Sequence, residues 1–282
     1  MRKNSILILL LLTPLIIAGQ TEPSAPGTGQ GGSQPASPPA LTHNAAVEAA
    51  LQVKHAAVNS SHSSTLPAGV TMVSLEIEFQ NNSRQVITAF NYHLWLRFAD
   101  GRGAPSEGGE DLIKNLAIAK NQPEVASPSL TFSPATTRQI TRNFTVRSAG
   151  ATPVAVEVYP SLVVFEDRTA LGIPSEMAKL EASRKSEAQY LAGLIADLDG
   201  VAASKDPAAA LATRIARLKQ EGSLGPNSKQ AKDLEGFSDV VGLFGKINNG
   251  HDIGREAFKG QLDEIRTQQK MLAEHSSPKR AE

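Results

Sequence analysis

The side chains able to do chemistry in this 282-residue chain are scattered rather than grouped. Its six histidines, His43, His55, His62, His93, His251 and His275, never fall at the i, i+4 or paired spacing that presents metal ligands on one face. They read as surface or loop histidines. Asp197-Leu198-Asp199-Gly200 has the opening of a calcium loop, but the later oxygen ligands and the closing glutamate are missing, so a capped helix end explains it better. Two Gly-rich stretches, GRGAPSEGG (101–109) and GLFGKINNG (242–250), lack the Lys-Ser/Thr pair of a phosphate loop; Lys246 is followed by Ile247. Both read as flexible connections.

Paired carboxylates fare no better. Glu110-Asp111 and Glu166-Asp167 are sequence neighbours, and neighbours on a strand point to opposite faces, which makes them poor acid/base partners. No Gly-x-Ser-x-Gly occurs, and with no cysteine there is no thiol nucleophile. The sequence therefore assigns no catalytic, cofactor-binding or metal-binding residue, and implies no cofactor. The enzyme alternative is a hydrolase with a Ser/His/carboxylate site assembled from distant positions. Two stretches have a binding reading beside a plain one. Residues 101–109 are a binding loop at one end of the fold or a tolerated insertion. VVGLFGKI (240–247) is an exposed apolar patch or the continuation of a helix core begun by Leu234 and Phe237.

The elements that must position these residues begin after a leader. Arg2 and Lys3 precede an apolar run from Ile6 to Ala18, too short for the roughly 20 residues of a membrane span and closed by Ala18 and Gly19. Residues 1–19 are expected to be a secretory signal peptide or, uncleaved, a signal anchor. Gln20 stands where a lipobox would need a thiol. Residues 20–43, rich in Pro, Gly and Ser, read as a disordered linker, because nothing bulky and apolar from Thr21 to Ala40 offsets the entropy of ordering them. The absence of cysteine and the length of the chain suit a bacterial envelope or secreted protein with its own core. The Asn-x-Ser/Thr matches at Asn59, Asn81 and Asn143 read as chance polar loop and strand residues. The 28 basic and 28 acidic side chains cancel, which predicts no face for nucleic acid.

From 44 to 172 the rhythm is that of strands. Val73, Leu75, Ile77 and Phe79 alternate with Ser74, Glu76 and Glu78 on a half-buried strand. After the turn NNSRQ, Phe90, Tyr92, Leu94, Leu96 and Phe98 face the core, with Asn91, His93, Trp95 and Arg97 opposite. Strands are further expected over Val47–Val58, whose alanines also suit a helix, and over Leu130–Phe132, Thr137–Val146 and Val154–Phe165, with a hairpin tip at EDRTALG. The segment DGRGAPSEGGED reads as irregular. Such a series predicts an antiparallel β-sandwich.

The order of signals, "NNS", "ITAF", "LRFADG" and "FSPATTRQITRNF", resembles the immunoglobulin- or fibronectin-like sandwiches of uncharacterised exported bacterial proteins, including FxLYD-type modules. Ala135 departs from that pattern, standing where glycine is usual. The resemblance covers about 100 residues; it implies an immunoglobulin-like β-sandwich domain (44–172) and an envelope setting, with no active site.

After Gly172 the spacing becomes helical. Four helices are predicted: Pro174 to about Gly200 with Met177, Leu180, Leu191, Leu194, Ile195 and Leu198; Asp206-Pro207 to Gly222; about Ser228 to Ile247; and about Asp252 to Glu274. The fold class expected is all-β followed by an all-α region (173–275) and a frayed tail (276–282). The functional expectation is a non-catalytic exported binding or scaffolding module. It takes a protein partner in the envelope or self-associates through its helices, with membrane contact only through residues 1–19 if these are retained. Membrane-surface attachment through the helices is a further alternative.

Overall fold

Alternation is unbroken along Thr71–Asn81, where Val73, Leu75, Ile77 and Phe79 are buried and the residues between them partly exposed. The structure, a computed structural model, describes residues 43–61, 71–121, 131–146, 152–222 and 226–281. The expected leader (1–19), nearly all of the expected linker (20–43) and His62 lie outside the described residues. In chain order the elements are α1 (Ala45–Ala50), β1 (Leu51–Ser61), β2 (Thr71–Asn81), β3 (Ile87–Phe98), β4 (Gly103–Asp111), α2 (Ile113–Asn121), β5 (Thr137–Val146), β6 (Pro153–Phe165) and β7 (Thr169–Gly172). There follow α3 (Pro174–Ala203), α4 (Pro207–Glu221), α5 (Pro226–Glu235), α6 (Ser238–Val241), β8 (Ile247–Asn248), β9 (His251–Asp252), α7 (Ile253–Glu274) and β10 (Lys279–Arg280). The chain is thus mixed α and β, with mostly antiparallel sheets.

One sheet has the order β1-β2-β5 and a second the order β10-β7-β6-β3-β4. Between them lies a core of Leu75, Ile77 and Phe79 from one side and Phe90, Tyr92, Leu94 and Val163 from the other. Aromatic edges lock it: Phe79 meets Phe90 at 5.2 Å and Tyr92 at 5.1 Å between ring centroids, geometries that favour aromatic pairs beyond their buried area. The back of the second sheet is not left to water. Ala89, Leu162, Val164 and Ala170 pack there against Leu180 of α3.

Several expectations need correction. Val47–Val58 does not start as a strand: Asn44 Oδ1 accepts the backbone N–H groups of Ala46 and Val47, both at 3.2 Å, and this cap nucleates α1 before the strand begins at Leu51. The irregular segment after Asp100 is strand β4, paired with β3 from Arg97↔Gly103 to Ala89↔Asp111. Its glycines concealed it, and the reason is close approach. A Cβ on Gly103 would stand 2.2 Å from the Trp95 ring, one on Gly108 2.6 Å from Tyr92 Cζ, and one on Gly109 2.2 Å from Asn91 Oδ1. A helix, α2, then follows where none was expected; Ile113, Leu116 and Ala117 join the helical core. Leu130 lies outside the described residues, and Phe132 forms an isolated bridge to Ile87.

In the second half, α3 runs past Gly200 to Ala203. The unexplained gap in its stripe between Leu180 and Leu191 is filled by Arg184 and Ala188, both buried. The third helix divides at Gly236–Phe237 into α5 and α6, so the region is not all-helical: Asn249 (φ 51°) and Gly250 (φ 81°) turn the β8–β9 hairpin, where two successive positive φ values favour Asn-Gly. Asp206 and Asp252 cap α4 and α7, each accepting an N–H at 3.0 Å. The tail expected to fray adds a parallel strand: Lys279 and Arg280 pair with Thr169 and Ala170 at the edge of the second sheet. Helices and sheets therefore interlock through α2, α3 and β10.

Candidate functional site

Strands β4 and β5 end their respective sheets among the described residues, and the gap between these two edges is closed by charge. In β5 the residues Arg138, Ile140, Arg142 and Phe144 stand opposite Phe79, Ile77, Leu75 and Val73 of β2, so both arginines point toward the core side. In β4 the inward set is Ser106, Gly108 and Glu110, opposite Leu94, Tyr92 and Phe90. Arg138 Nε donates to Glu110 across the gap. Arg142 Nη1 donates to the Glu107 carbonyl at 2.9 Å, and its guanidinium carbon lies 5.5 Å over the Tyr92 ring. Inward-pointing charge is a recognised guard of open strand edges.

Tyr92 is the exceptional member of this seam. Its side chain is 1% exposed, and among the described residues its hydroxyl has no hydrogen-bond partner. Burial pushes its pKa up to about 12, with Arg142 opposing the rise and Glu110 adding to it, so the hydroxyl keeps its proton. Gly108 makes the juxtaposition possible. Its missing Cβ would sit 2.6 Å from Tyr92 Cζ and 2.7 Å from Arg142 Cζ and Nη2.

A second polar group joins the sheets to the helices. Arg184 of α3, 1% exposed along its side chain, donates from Nε and Nη2 to the two oxygens of Asp111, both at 2.8 Å, and from Nη1 to the His275 carbonyl at 2.8 Å. One guanidinium thereby ties β4, α3 and the end of α7. Nearby, buried Glu176 accepts from Asn91 Nδ2 at 2.8 Å. Glu187 holds Lys114 Nζ at 2.5 Å and Lys229 Nζ at 3.2 Å. Burial raises the Glu187 pKa, but the two ammonium groups outweigh it and the net shift is downward. Tyr190 donates to Asp233, and burial with that carboxylate drives its pKa upward.

The residues singled out by sequence are not brought together. His43 contacts Glu48 at 2.7 Å and the Tyr159 ring edge at 5.2 Å; His251 contacts Glu256 at 2.7 Å; His55 is exposed on β1; His93 lies on the outer face of β3; and His275 is buried at the α7 C-cap. Among the described residues no group of three His, Asp or Glu could hold a metal ion. Asp197 takes Arg214 Nε at 2.9 Å and Gln230 Nε2 at 2.6 Å, whereas Asp199 takes Arg266 Nη2 at 2.7 Å, inside α3 rather than at its end. Glu110 and Asp111 diverge to Arg138 and Arg184, as strand parity requires. Asp167 folds the β6–β7 turn by accepting from Thr169 N at 2.8 Å and Oγ1 at 2.6 Å. Asn81 is no chance loop residue: fully buried, it donates to the Gln85 and Phe132 carbonyls and accepts from Ser83. Asn59 and Asn143 are exposed on β1 and β5.

Lys246 sits in the turn before the β8–β9 hairpin, and residues 240–247 divide: Val240 and Val241 are buried and Phe244 meets Phe258 at 5.4 Å, while Gly242, Gly245, Lys246 and Ile247 are exposed. An open groove of about 440 Å³ runs between α4 and α6, lined by Leu211, Ile215 and Val241 with the Lys219–Glu235 pair at its side. Among the described residues no helix is long and apolar enough to cross a membrane. The seam itself was missed by sequence reading. The signal was present in TTRQITRNF, where Arg138 and Arg142 share strand parity with Ile140 and Phe144.

No protein-family model matches the chain, and no curated protein matches it. Solved structures give weak likenesses. A hypothetical protein of Peptoclostridium difficile 630 is 9% identical, over 47% of this chain and 91% of that one, with a TM-score of 0.27. A DUF1425 family member from Shewanella sp. pv-4 is 16% identical, over 39% and 75%, with a TM-score of 0.22. A target of the Northeast Structural Genomics Consortium is 15% identical, over 43% and 78%, with a TM-score of 0.28. Scores this low transfer neither family nor activity to this chain.

Proposed function

We propose that this protein is an exported, non-catalytic binding or scaffolding module of the bacterial envelope, built on an immunoglobulin-like sandwich braced by helices. The observation that carries the non-catalytic reading is the fate of the inner carboxylates. Glu110, Asp111, Glu187 and Asp197 are each held by a cation from another element, Arg138, Arg184, Lys114 with Lys229, and Arg214. Lone pairs engaged in this way fix architecture and are not poised to accept a substrate proton.

Strand order supports the immunoglobulin-like part. Labelled A to G in sequence, β1-β2-β5 corresponds to A-B-E and β7-β6-β3-β4 to G-F-C-C′, the two-sheet partition of that class. Export is supported by Arg2 and Lys3 before the apolar run, and by the Pro/Gly/Ser-rich stretch after it. The partner is a protein of the envelope. Crosslinking in the native envelope followed by affinity capture is expected to return a discrete partner, while the purified protein turns over no common hydrolase substrate. Clear hydrolytic turnover by the purified chain would overturn the reading.

A further inference from the structure

The sequence holds a single Asn-Gly step, Asn249-Gly250, and the fold makes it the whole loop of the β8–β9 hairpin, between Asn248 and its partner His251. Both residues are exposed. Their positive φ values, 51° and 81°, are what a two-residue loop of this hand requires, and they confine it to Asn, Asp and Gly. The same choice sets a carboxamide one residue before a backbone nitrogen that no side chain shields: a Cβ on Gly250 would meet nothing within 4 Å. Among the described residues the Asn249 side chain makes no hydrogen bond, and the Gly250 N–H reaches no carbonyl. The hairpin has only two residue pairs, and so short a ladder opens easily, which lets the Gly250 nitrogen approach Asn249 Cγ. The asparagines that precede serine are held differently. Asn59 lies in the β1 ladder opposite Ser74, Asn82 donates from Nδ2 to Gln52 Oε1 at 3.2 Å, and Asn227 is inside α5.

We propose that Asn249 is a site of spontaneous deamidation in the folded protein, and that its isoaspartyl product releases the start of α7. The Gly250 nitrogen, on losing its proton, attacks Asn249 Cγ; the N–Cγ bond forms, the Cγ–Nδ2 bond breaks, and Nδ2 leaves with a proton as ammonia. Water then opens the cyclic imide. Cleavage of the new N–Cγ bond gives aspartate, and cleavage at the main-chain carbonyl gives isoaspartate, whose backbone runs through the side chain and is one carbon longer. Both products add a negative charge, but only isoaspartate lengthens the loop, and a longer loop loses the pairs Ile247↔Asp252 and Asn248↔His251. What those pairs position is Asp252. Its Oδ1 accepts the Arg255 N–H at 3.0 Å as the cap of α7 and its Oδ2 the Gly245 N–H at 2.9 Å, while Ile253 N donates to the Lys246 carbonyl at 3.2 Å. This modification goes beyond the binding reading and does not depend on it.

The test ages the purified full-length protein in mildly alkaline buffer, folded and in urea, and follows each asparagine by peptide mapping with mass spectrometry that separates aspartate from isoaspartate. In the folded protein Asn249 is expected to convert at a rate within about tenfold of its rate in urea, whereas Asn59, Asn82 and Asn227 fall further behind theirs, because a ladder, a hydrogen bond or a helix must open first. The Asn249 rate should rise with pH, as deprotonation of the attacking nitrogen requires, and ammonia should be released in step. Suppression at Asn249 as strong as at Asn82, or a rate indifferent to pH, would overturn the site. The isoaspartyl form, separated from the aged protein by chromatography, should melt about 3 °C lower than the parent, the worth of a lost cap in a chain of this size. Asn249→Asp, which carries the same charge on an unlengthened loop, should melt as the parent does. An isoaspartyl form as stable as the parent would overturn the link to α7, and an equal loss in Asn249→Asp would overturn the loop-length argument in favour of charge.

Discussion

Replacing Arg184 with methionine keeps most of the side-chain volume and removes three charge-assisted hydrogen bonds: two to Asp111 and one to the His275 carbonyl. Removing one partner of a buried pair leaves the other uncompensated, which typically costs about 3–5 kcal/mol. Asp111 keeps 20% side-chain exposure, so water takes up part of the loss and the lower end, about 3 kcal/mol, applies. At about 3 °C per kcal/mol for a chain of this size, the melting temperature should fall by roughly 9 °C. The single tryptophan, Trp95 on β3, allows a finer readout. Its fluorescence reports the sheets, whereas far-UV circular dichroism is dominated by the helices. In the parent the two melts should coincide; in Arg184→Met the helical signal should be lost first, because the tie between α3, β4 and the α7 terminus is gone. A loss below about 1 kcal/mol would refute the view that this guanidinium joins the two parts.

Three further outcomes are expected. Ala135 occupies the left-handed region with φ 60°, so Ala135→Gly should stabilise the protein by about 1 kcal/mol in denaturant titration; a loss would show that the turn is not strained. Glu187 has its pKa depressed in the fold by Lys114 and Lys229 against the opposing effect of burial, so its contribution is present above the unfolded value of about 4.3 and is lost as the pH falls through the lower folded value. Glu187→Gln should therefore flatten the acid limb of the stability profile, and an unchanged limb would contradict the pairing. Gly103→Ala places a methyl 2.2 Å from the Trp95 ring, so it should shift Trp95 emission and unpair the start of β4, whereas Gly101→Ala, with open space around it but φ +82°, should leave the emission in place.

Legibility in the sequence followed burial. The β2 and β3 core faces, Val73 to Phe79 and Phe90 to Leu96, were readable because one side of each strand meets water and the other the core. Where both sides are occupied, the signal failed. Alternation places Trp95 on the outer face, yet it is 5% exposed, lying along β4 where Gly103 offers no Cβ. Strand β4 itself was illegible because its glycines answer to neighbouring rings rather than to its own conformation. Arg184 was overlooked in the α3 stripe because a charged residue breaks an apolar count, although its position between Leu180 and Ala188 is the stripe's own. The seam needed a partner strand to be seen: parity puts Arg142 inward, but only the pairing of β3 with β4 puts Tyr92 and Gly108 beneath it.

The measurement closest to the central claim is crosslinking of the full-length protein in its native envelope followed by affinity capture, beside hydrolase assays of the purified protein. A discrete envelope partner and no turnover is the expected result. Clear hydrolytic turnover, or no captured partner, would contradict the account.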